Sequence, residues 1–257
     1  MNAITVQNIQ KSYLEGDKRI LVLNDLTLSV GEHEILSLFG PNGCGKTTLL
    51  NICAGLMQAD AGVVQIFGAD PRDVRIGYIP QAFGESLFPW LTNLDNICFP
   101  LSLDGLTKKS SREEAVRFLQ QIDINLPLQN YPYESSGGQK QLAALGRALV
   151  SSPSVLLADE PFSALDYTTR LEIQDKFLKV VSERLQLATI VISHQIEDAI
   201  YLGDRLIVFA KQPTRIVDMF EINLPRPRKQ EIKKTPEFAE LTARAIDVFM
   251  RGVGYEG

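Results

Sequence analysis

The chain has 257 residues, of which 45% are hydrophobic and 22% are charged, and its formal net charge is −5. This length predicts one large domain or two closely packed subdomains, and this composition excludes disordered, collagen-like and coiled-coil chains. The acidic balance argues against general nucleic-acid binding, which usually requires a basic surface. No apolar run reaches the roughly 18–20 residues of a membrane span, and the N-terminus lacks the layout of a signal peptide. We therefore expect a cytoplasmic protein that acts at a membrane only through a partner.

Short β-rich runs alternate with helical patterns, which favours an α/β fold around a mostly parallel sheet. Between about 85 and 150 the pattern becomes helical, and the run 110–113 has the form of a capping box that would start a helix. After about residue 220 the chain is rich in proline and charge, and an amphipathic helix follows. Strands are predicted at 4–9, 21–23, 26–30, 34–39, 155–158 and 188–192, and helices at 46–56 and 139–150.

The run 40–47 fits the pattern G-x-x-x-x-G-K-[ST] of a phosphate-binding loop between a strand and a helix. Its glycines let backbone N–H groups point at phosphate oxygens, and the helix adds the positive end of its dipole. Lys46 would neutralise the β- and γ-phosphates, and the Thr47 hydroxyl would ligate Mg²⁺. A chance match is the alternative, and the position between strand and helix argues against it. The predicted nucleotide-binding residues of this loop are Gly40, Pro41, Asn42, Gly43, Cys44, Gly45, Lys46, Thr47 and Thr48.

Acidic and histidine side chains follow later strands. Asp159 and Glu160 come directly after the strand predicted at 155–158, and His194 ends the next one. Ligands of open α/β sheets gather beyond the carboxyl ends of the strands. We therefore predict that Asp159 acts with Mg²⁺ and that Glu160 faces the γ-phosphate and polarises a water. An acidic turn and a structural histidine are the alternatives, whereas His33 is expected to be solvated.

Several motifs in order resemble the ATP-binding subunit of an ABC transporter over nearly the whole chain. The signature-like S-G-G-Q run lies one helix ahead of the strand at 155, as the family order requires. One residue departs from the family pattern: Ser135 stands where the family usually has Leu, so an apolar anchor is lost beside the signature. The matching residues are Tyr13 (the adenine-stacking aromatic), Gln81 (Q-loop), Ser136, Gly137, Gly138 and Gln139 (signature), Asp166 (D-loop) and His194 (switch histidine).

The resemblance implies a P-loop NTPase (RecA-like) core with an antiparallel β subdomain and an inserted helical subdomain. The implied ATP-binding core covers 1–84 and 151–222, the helical signature subdomain 85–150, and a C-terminal tail with a helix 223–257. Two structural alternatives stay open: Gly137 and Gly138 could form a plain turn, and Asp166 could be only a helix N-cap.

The resemblance also implies a mechanism. Two chains, identical or related, would pair head to tail, with each ATP held between Tyr13 and the P-loop of one chain and the signature of the other. Glu160 would be the general base, His194 would contact the γ-phosphate, and Gln81 would sense Mg²⁺, which Thr47 and Asp159 also bind. Transmembrane permease subunits and a periplasmic or extracellular solute-binding protein are the implied partners. The implied location is peripheral, on the cytoplasmic face of the inner membrane.

Two segments resemble the nitrate, sulfonate and taurine importers in particular. These are 88–97, after the Q-loop, and the tail run 223–238. The alternative for the tail is an exposed basic linker followed by a docking helix, and the solute rests on analogy alone. A soluble ABC-type ATPase is the rival function. A P-loop kinase would lack the signature, and a non-catalytic regulator would be expected to lose Glu160 or His194.

Overall fold

Two β-sheets organise the chain, and they confirm the expected α/β fold. The computed structural model describes residues 1–210, 213–252 and 254. The strands are β1 (Asn2–Glu15), β2 (Lys18–Gly31), β3 (Ile35–Phe39), β4 (Ala61–Ile66), β5 (Ile76–Ile79), β6 (Val155–Asp159), β7 (Thr189–Ile192), β8 (Arg205–Phe209) and β9 (Ile216–Glu221). The smaller sheet is antiparallel, in the order β2-β1-β4, and the larger has the order β5-β6-β7-β3-β8-β9. The sequence patterns at 21–23 and 26–30 prove to be one strand, β2.

The larger sheet is parallel except at one edge, where β9 runs antiparallel to β8. Parallel strands place their carboxyl ends at one edge, so the residues that follow β5, β6, β7 and β3 lie side by side. Gln81 follows β5, Glu160 follows β6, His194 follows β7, and the P-loop follows β3. Three distant parts of the sequence therefore meet the P-loop.

The helices are α1 (Lys46–Cys53), α2 (Phe83–Ser86), α3 (Asn93–Leu103), α4 (Lys108–Gln121), α5 (Gly137–Leu149), α6 (Tyr167–Leu178), α7 (Ile196–Leu202) and α8 (Pro236–Gly252), and α6 continues as a π-helical turn over Lys179–Arg184. Residues 85–150 contain α3, α4 and α5 and no strand, in keeping with the helical pattern there. No helix in the described parts of the chain has both the length and the apolar character needed to cross a bilayer.

The larger sheet is buried on both faces. Along β3 the side chains alternate, so that Ile35 and Phe39 join one apolar cluster while Leu36 and Leu38 join another. The first cluster lies against the helices of 85–150 and against α6, α7 and α8. The second lies between the two sheets and includes Leu49 and Leu50 of α1. Strand β3, which leads into the P-loop, is thus fixed from both sides.

The predicted capping box at 110–113 is wrong, because α4 begins earlier. Thr107 is the N-cap, and its side chain accepts a hydrogen bond of 3.2 Å from the Ser110 backbone N–H. The Ser111 hydroxyl donates back to the Thr107 carbonyl oxygen at 3.0 Å. Gly105, with φ of 86°, turns the chain just before this cap. Ser110 and Ser111 therefore lie inside the first turn, where both bond to the cap.

The tail is not an exposed basic linker. The Arg228 side chain is fully buried and donates to the carbonyl oxygens of Tyr201 (3.0 Å) and Gly203 (2.6 Å) at the end of α7. Burial lowers the pKa of Arg228 to about 10. Helix α8 then packs its apolar face, including Phe238 and Val248, onto the body of the protein. Of the alternative expected for the tail, the exposed linker is wrong and the docking helix is confirmed.

Candidate functional site

The P-loop turns sharply at Gly45, the N-cap of α1. This residue has a φ of 102°, a left-handed conformation that favours glycine. A Cβ atom at Gly45 would lie 2.8 Å from side-chain carbons of both Leu23 and Val22, so no larger residue fits without displacing β2. The turn aims the N-terminus of α1 and its free N–H groups into the adjacent cleft, as phosphate binding requires.

A cleft of about 450 Å³ lies beside this loop. Tyr13 stands at its edge, where the phenol oxygen is 3.2 Å from the Thr48 hydroxyl oxygen. The hydroxyl end of the Tyr13 side chain is therefore held to α1, while its backbone belongs to β1. The residues lining the cleft are Tyr13, Val22, Asn42, Gly43, Gly45, Lys46, Thr47, Thr48, Gln81 and Glu160.

Lys46 is buried over the P-loop. Its ammonium nitrogen donates to the carbonyl oxygens of Gly40 (2.8 Å) and Pro41 (3.0 Å) and lies 3.9 Å from Cys44 Sγ. Cys44 is fully buried, and this burial raises the pKa of its thiol. Gly40, Pro41 and Cys44 do not line the cleft. The carbonyl oxygens of Gly40 and Pro41 instead hold Lys46, and a direct contact of these three residues with nucleotide stays a prediction.

Asp159 lies at the end of β6 and is only 1% exposed. Burial raises the pKa of its carboxyl, and a hydrogen bond from the Thr47 hydroxyl opposes that shift. The Oδ1 atom is buried and has no hydrogen-bond partner among the described residues. A buried carboxylate oxygen without a donor is costly unless a cation or proton satisfies it.

Glu160 follows with an unusual backbone. Its φ is 46°, in the left-handed region, and the Ser163 hydroxyl donates to its carbonyl oxygen at 3.0 Å. This turn brings the carboxylate back over the ends of the neighbouring strands. Gln81 Nε2 donates to Glu160 Oε2 at 3.1 Å, and His194 Nδ1 lies 3.3 Å from the same oxygen. Three predicted catalytic residues from three strand ends therefore meet at one carboxylate oxygen.

The signature run forms the first turn of α5. Ser136 is the N-cap: its hydroxyl oxygen accepts from the Gln139 N–H at 3.3 Å, and the Gln139 side chain accepts from the Ser136 N–H at 2.9 Å. Gly137 and Gly138 are helical rather than a plain turn. A Cβ at Gly138 would lie 2.7 Å from Thr169 Cγ2, so this turn packs closely on the start of α6.

Asp166 is the N-cap of α6, and its carboxylate accepts from the Thr169 N–H at 3.1 Å. The N-cap role of this residue is thus confirmed, and its additional role in nucleotide binding stays a prediction. None of the residues from 136 to 139, nor Asp166, lines the cleft beside the P-loop. The chain therefore carries two separate groups of predicted nucleotide-binding residues, one at the cleft and one at the start of α5.

Two sets of hydrogen bonds near the site could not be predicted from any motif in the sequence. Asp60 accepts from Lys11 Nζ (3.0 Å) and from the Ser12 N–H (2.8 Å), next to Tyr13, and these bonds lower the pKa of Asp60 to about 2. Arg170 on α6 donates to Gln195 Oε1 at 2.5 Å, next in sequence to His194. Both pairs join residues that are far apart in sequence, which no short motif records.

A protein-family model described as ABC transporter matches residues 23–163. The chain belongs to the ABC transporter family. It is 39% identical over 242 residues to the aliphatic sulfonates import ATP-binding protein SsuB 2 of Burkholderia cenocepacia, covering 93% of this chain and 84% of that protein. It is 36% identical over 250 residues to the SsuB protein of Bacillus subtilis, covering 96% of this chain and 94% of that protein.

Solved structures agree with this assignment. A dimeric post-hydrolysis state of the ATP-binding cassette MJ0796, bound to ADP and Pi, matches with a TM-score of 0.75 at 30% identity, over 86% of this chain and 100% of that one. The present chain is accordingly an ABC ATPase, an ATP-binding subunit of the importer group. The family resemblance noted in the sequence is confirmed.

Proposed function

We propose that this ABC ATPase works as a head-to-tail pair, with a second copy or a related subunit, around two ATP molecules, and that it drives a membrane permease importing a small anion. One observation carries the pairing: the P-loop cleft and the signature turn lie apart within one chain. The core at 1–84 and 151–222 supplies the first, and the helical subdomain at 85–150 supplies the second. A second chain brings them together around one nucleotide.

The two groups offer complementary contacts to ATP. Tyr13 presents a ring for adenine, while Lys46 and the N-terminus of α1 face the phosphates. On the partner chain, α5 presents free N–H groups and the Ser136 hydroxyl, whose proton is left for a phosphate oxygen because the bond from Gln139 uses only its lone pair. The γ-phosphate then lies between two helix N-termini, each with a favourable dipole.

The residues at the P-loop also fit Mg²⁺. The buried Asp159 Oδ1 has no partner among the described residues, and the Thr47 hydroxyl lies beside that carboxyl. No group of three His, Cys, Asp or Glu side chains in the described ranges could hold a metal by itself. Thr47, Gln81 and Asp159 would therefore hold Mg²⁺ together with phosphate oxygens, which is how this ion usually binds. The ion supplies neutralisation of charge on the β- and γ-phosphates.

Glu160 is positioned to accept a proton from water. As the water oxygen bonds to the γ-phosphorus, the bond to the β-phosphate oxygen breaks, ADP leaves, and the proton passes to the Glu160 carboxylate. Gln81 and His194 orient that carboxylate through Oε2, and His194 is half-exposed, so it can turn to the γ-phosphate. Removal of that phosphate weakens the bridge between the chains and lets them separate.

A mixing experiment tests the shared site. Ser136→Arg alone should bind ATP, since the P-loop of its own chain is intact, but should hydrolyse none, because arginine blocks the partner's γ-phosphate. Lys46→Ala alone should bind ATP more weakly, because a charge-assisted contact to phosphate is lost. In a mixed dimer of the two, one site has a normal P-loop facing a normal signature, so part of the activity should return.

Ser102→Arg, at an exposed position on α3, is the matched control and should behave as wild type. A Ser136→Arg chain that hydrolyses ATP normally by itself would rule out the shared site. The protein would then be a self-contained P-loop ATPase.

An aromatic surface in the segment after Gln81 suits the proposed permease. Trp90 is 71% exposed and stacks on Phe88 with ring centroids 5.5 Å apart. The amide of Asn96 holds this segment by donating to the carbonyl oxygens of Phe88 and Leu91. A cavity of about 390 Å³ between β5, α3 and α5 adjoins Phe88. An exposed aromatic side chain near a cleft of mixed polar and apolar lining is typical of a protein interface.

Copurification separates this proposal from a soluble ABC-type ATPase. Solubilised membranes should yield the chain together with a transmembrane protein, and Trp90→Ala should lose that partner while keeping the ATPase activity of the isolated chain. Isolation without any membrane protein would favour the soluble alternative. The relatives named as aliphatic sulfonates import ATP-binding proteins support a sulfonate as the solute. Nitrate and taurine remain alternatives by the resemblance of 88–97 and 223–238 alone. The proposal also includes a solute-binding protein and a peripheral position on the cytoplasmic face of the inner membrane.

A further inference from the structure

We infer that Asn93 and Ser135 form a buried polar pair that positions the signature turn for the partner's ATP. Asn93 is 0% exposed, and its amide nitrogen donates to the Ser135 hydroxyl oxygen at 2.9 Å. Ser135 is 8% exposed and directly precedes Ser136, the N-cap of α5. This inference rests on the proposed function, because it concerns how the shared site is held.

Asn93 holds both ends of one loop. The same amide nitrogen donates to the Pro127 carbonyl oxygen at 2.8 Å, so Asn93 bridges residues 127 and 135. The Ser135 hydroxyl donates a hydrogen bond to the Tyr131 carbonyl oxygen at 3.1 Å, in the middle of that loop. The backbone N–H of Asn93 donates to the Asn130 carbonyl oxygen at 2.8 Å. The three bonds from Asn93 thus tie the loop before the signature to α3, and the bond from Ser135 to Tyr131 closes the loop on itself.

This pair explains the one departure from the family pattern. An apolar residue at position 135 would hold the loop by packing, whereas Ser135 holds it by hydrogen bonds within a buried pocket. A buried hydrogen bond fixes direction as well as distance, and its loss leaves the partner unsatisfied. The Oδ1 atom of Asn93 is already buried without a partner among the described residues, so the amide depends on the bonds made by its nitrogen.

The pair acts through Ser136 rather than on ATP itself. Fixing Ser135 fixes the backbone that enters α5, and with it the direction of the helix N-terminus. ATP binding to the P-loop of the same chain does not involve this turn, because none of its residues lines the cleft. Loosening the pair should therefore lower kcat while the affinity of one chain for ATP is unchanged. Asn93 and Ser135 are positioning residues by this argument.

The test is a double-mutant cycle with an apolar rescue. We expect Ser135→Ala, Ser135→Leu and Asn93→Val each to lower kcat by about fivefold to twentyfold, because each leaves a buried polar partner unpaired and loosens the signature turn. Ser135→Leu and Asn93→Val are the single variants that the cycle requires. The dissociation constant for mant-ATP on the isolated chain should stay within about twofold of wild type. The double variant Asn93→Val/Ser135→Leu removes both polar groups and restores an apolar contact. Its kcat should return to within about threefold of wild type, a strongly non-additive result.

Ser111→Ala is the matched control. Ser111 is 1% exposed, and its hydroxyl also donates to a backbone carbonyl oxygen, but on α4 and away from the signature. It should lower Tm about as much as Ser135→Ala and leave kcat unchanged. Equal loss of kcat in Ser111→Ala and Ser135→Ala, or additive losses in the double variant, would overturn the inference.

The outcome is separable from that of the proposed function. If Ser136→Arg abolishes hydrolysis while Ser135→Ala and Asn93→Val retain wild-type kcat, the shared site stands and the positioning pair is rejected. If Ser136→Arg is fully active, the shared site itself is rejected.

Discussion

Replacing Glu160 by Gln is the most direct test of the proposed chemistry. The two side chains have nearly the same shape, and the amide oxygen of a glutamine can still accept the 3.1 Å bond from Gln81. The φ of 46° is equally accessible to both residues. We therefore expect the folded structure and ATP affinity to persist, with the dissociation constant for ATP within about threefold of wild type.

The expected loss of turnover is large. An amide cannot accept the proton from the attacking water, and general-base catalysis contributes about 10²–10⁴-fold. A thousandfold fall in kcat corresponds to about 4 kcal/mol of activation free energy. Because hydrolysis is what opens the proposed pair, the variant should also accumulate as an ATP-bound dimer, with twice the mass by size exclusion and light scattering.

Phosphate release and equilibrium ATP binding should be measured on the same preparation. Glu183→Gln removes one charge at an exposed position and is the control for the change in net charge. Wild-type hydrolysis by Glu160→Gln would refute the assignment of the base. Parallel loss of ATP binding and turnover would instead give Glu160 a structural role.

Two further predictions concern stability. The bonds to Asp60 from Lys11 and Ser12 lower its pKa to about 2, so their stabilisation is present above the unfolded value near 4 and is lost as pH falls from about 4 to 2. In Asp60→Asn, the free energy of unfolding measured with urea should fall less steeply with pH in that window. An unchanged pH dependence would contradict the assignment. Arg228→Met leaves several buried carbonyl oxygens of the α7 end without their donor, and it should cost about 3 kcal/mol and lower Tm by roughly 6 °C. Arg226→Met, at a more exposed guanidinium, should lower Tm less, and equal shifts would contradict the buried role.

The P-loop and the residues around Glu160 could be predicted because their signals are local. A strand followed by a glycine-rich run and a helix needs only consecutive residues, and parallel strands bring their carboxyl ends together whatever the loops between them. The edge strand β9 and the burial of Arg228 could not be predicted, since both depend on contacts with β8 and α7. A run of prolines and arginines has the same composition whether it is solvated or buried.

The start of α4 was predicted wrongly because several neighbouring Ser and Thr residues could each cap the helix. Thr107, Ser110 and Ser111 are all suitable N-caps, and only the turn at Gly105 decides among them. The same ambiguity obscured Ser135. Read alone it removes an apolar anchor, and only the position of Asn93, far away in sequence, shows what replaces that anchor.

The position of β3 in the sheet has a consequence for synthesis on the ribosome. The two strands that pair with β3, β7 and β8, are synthesised about 150 residues after it. The strand leading into the P-loop therefore leaves the ribosome early, and both of its edges stay unpaired until β7 and β8 follow. The side chains of β3, which are buried in the folded protein, stay exposed to solvent until then. The P-loop acquires its framework only when the chain has passed Phe209, so nucleotide binding requires everything from β3 to β8 and reports that the last parallel strand is in place.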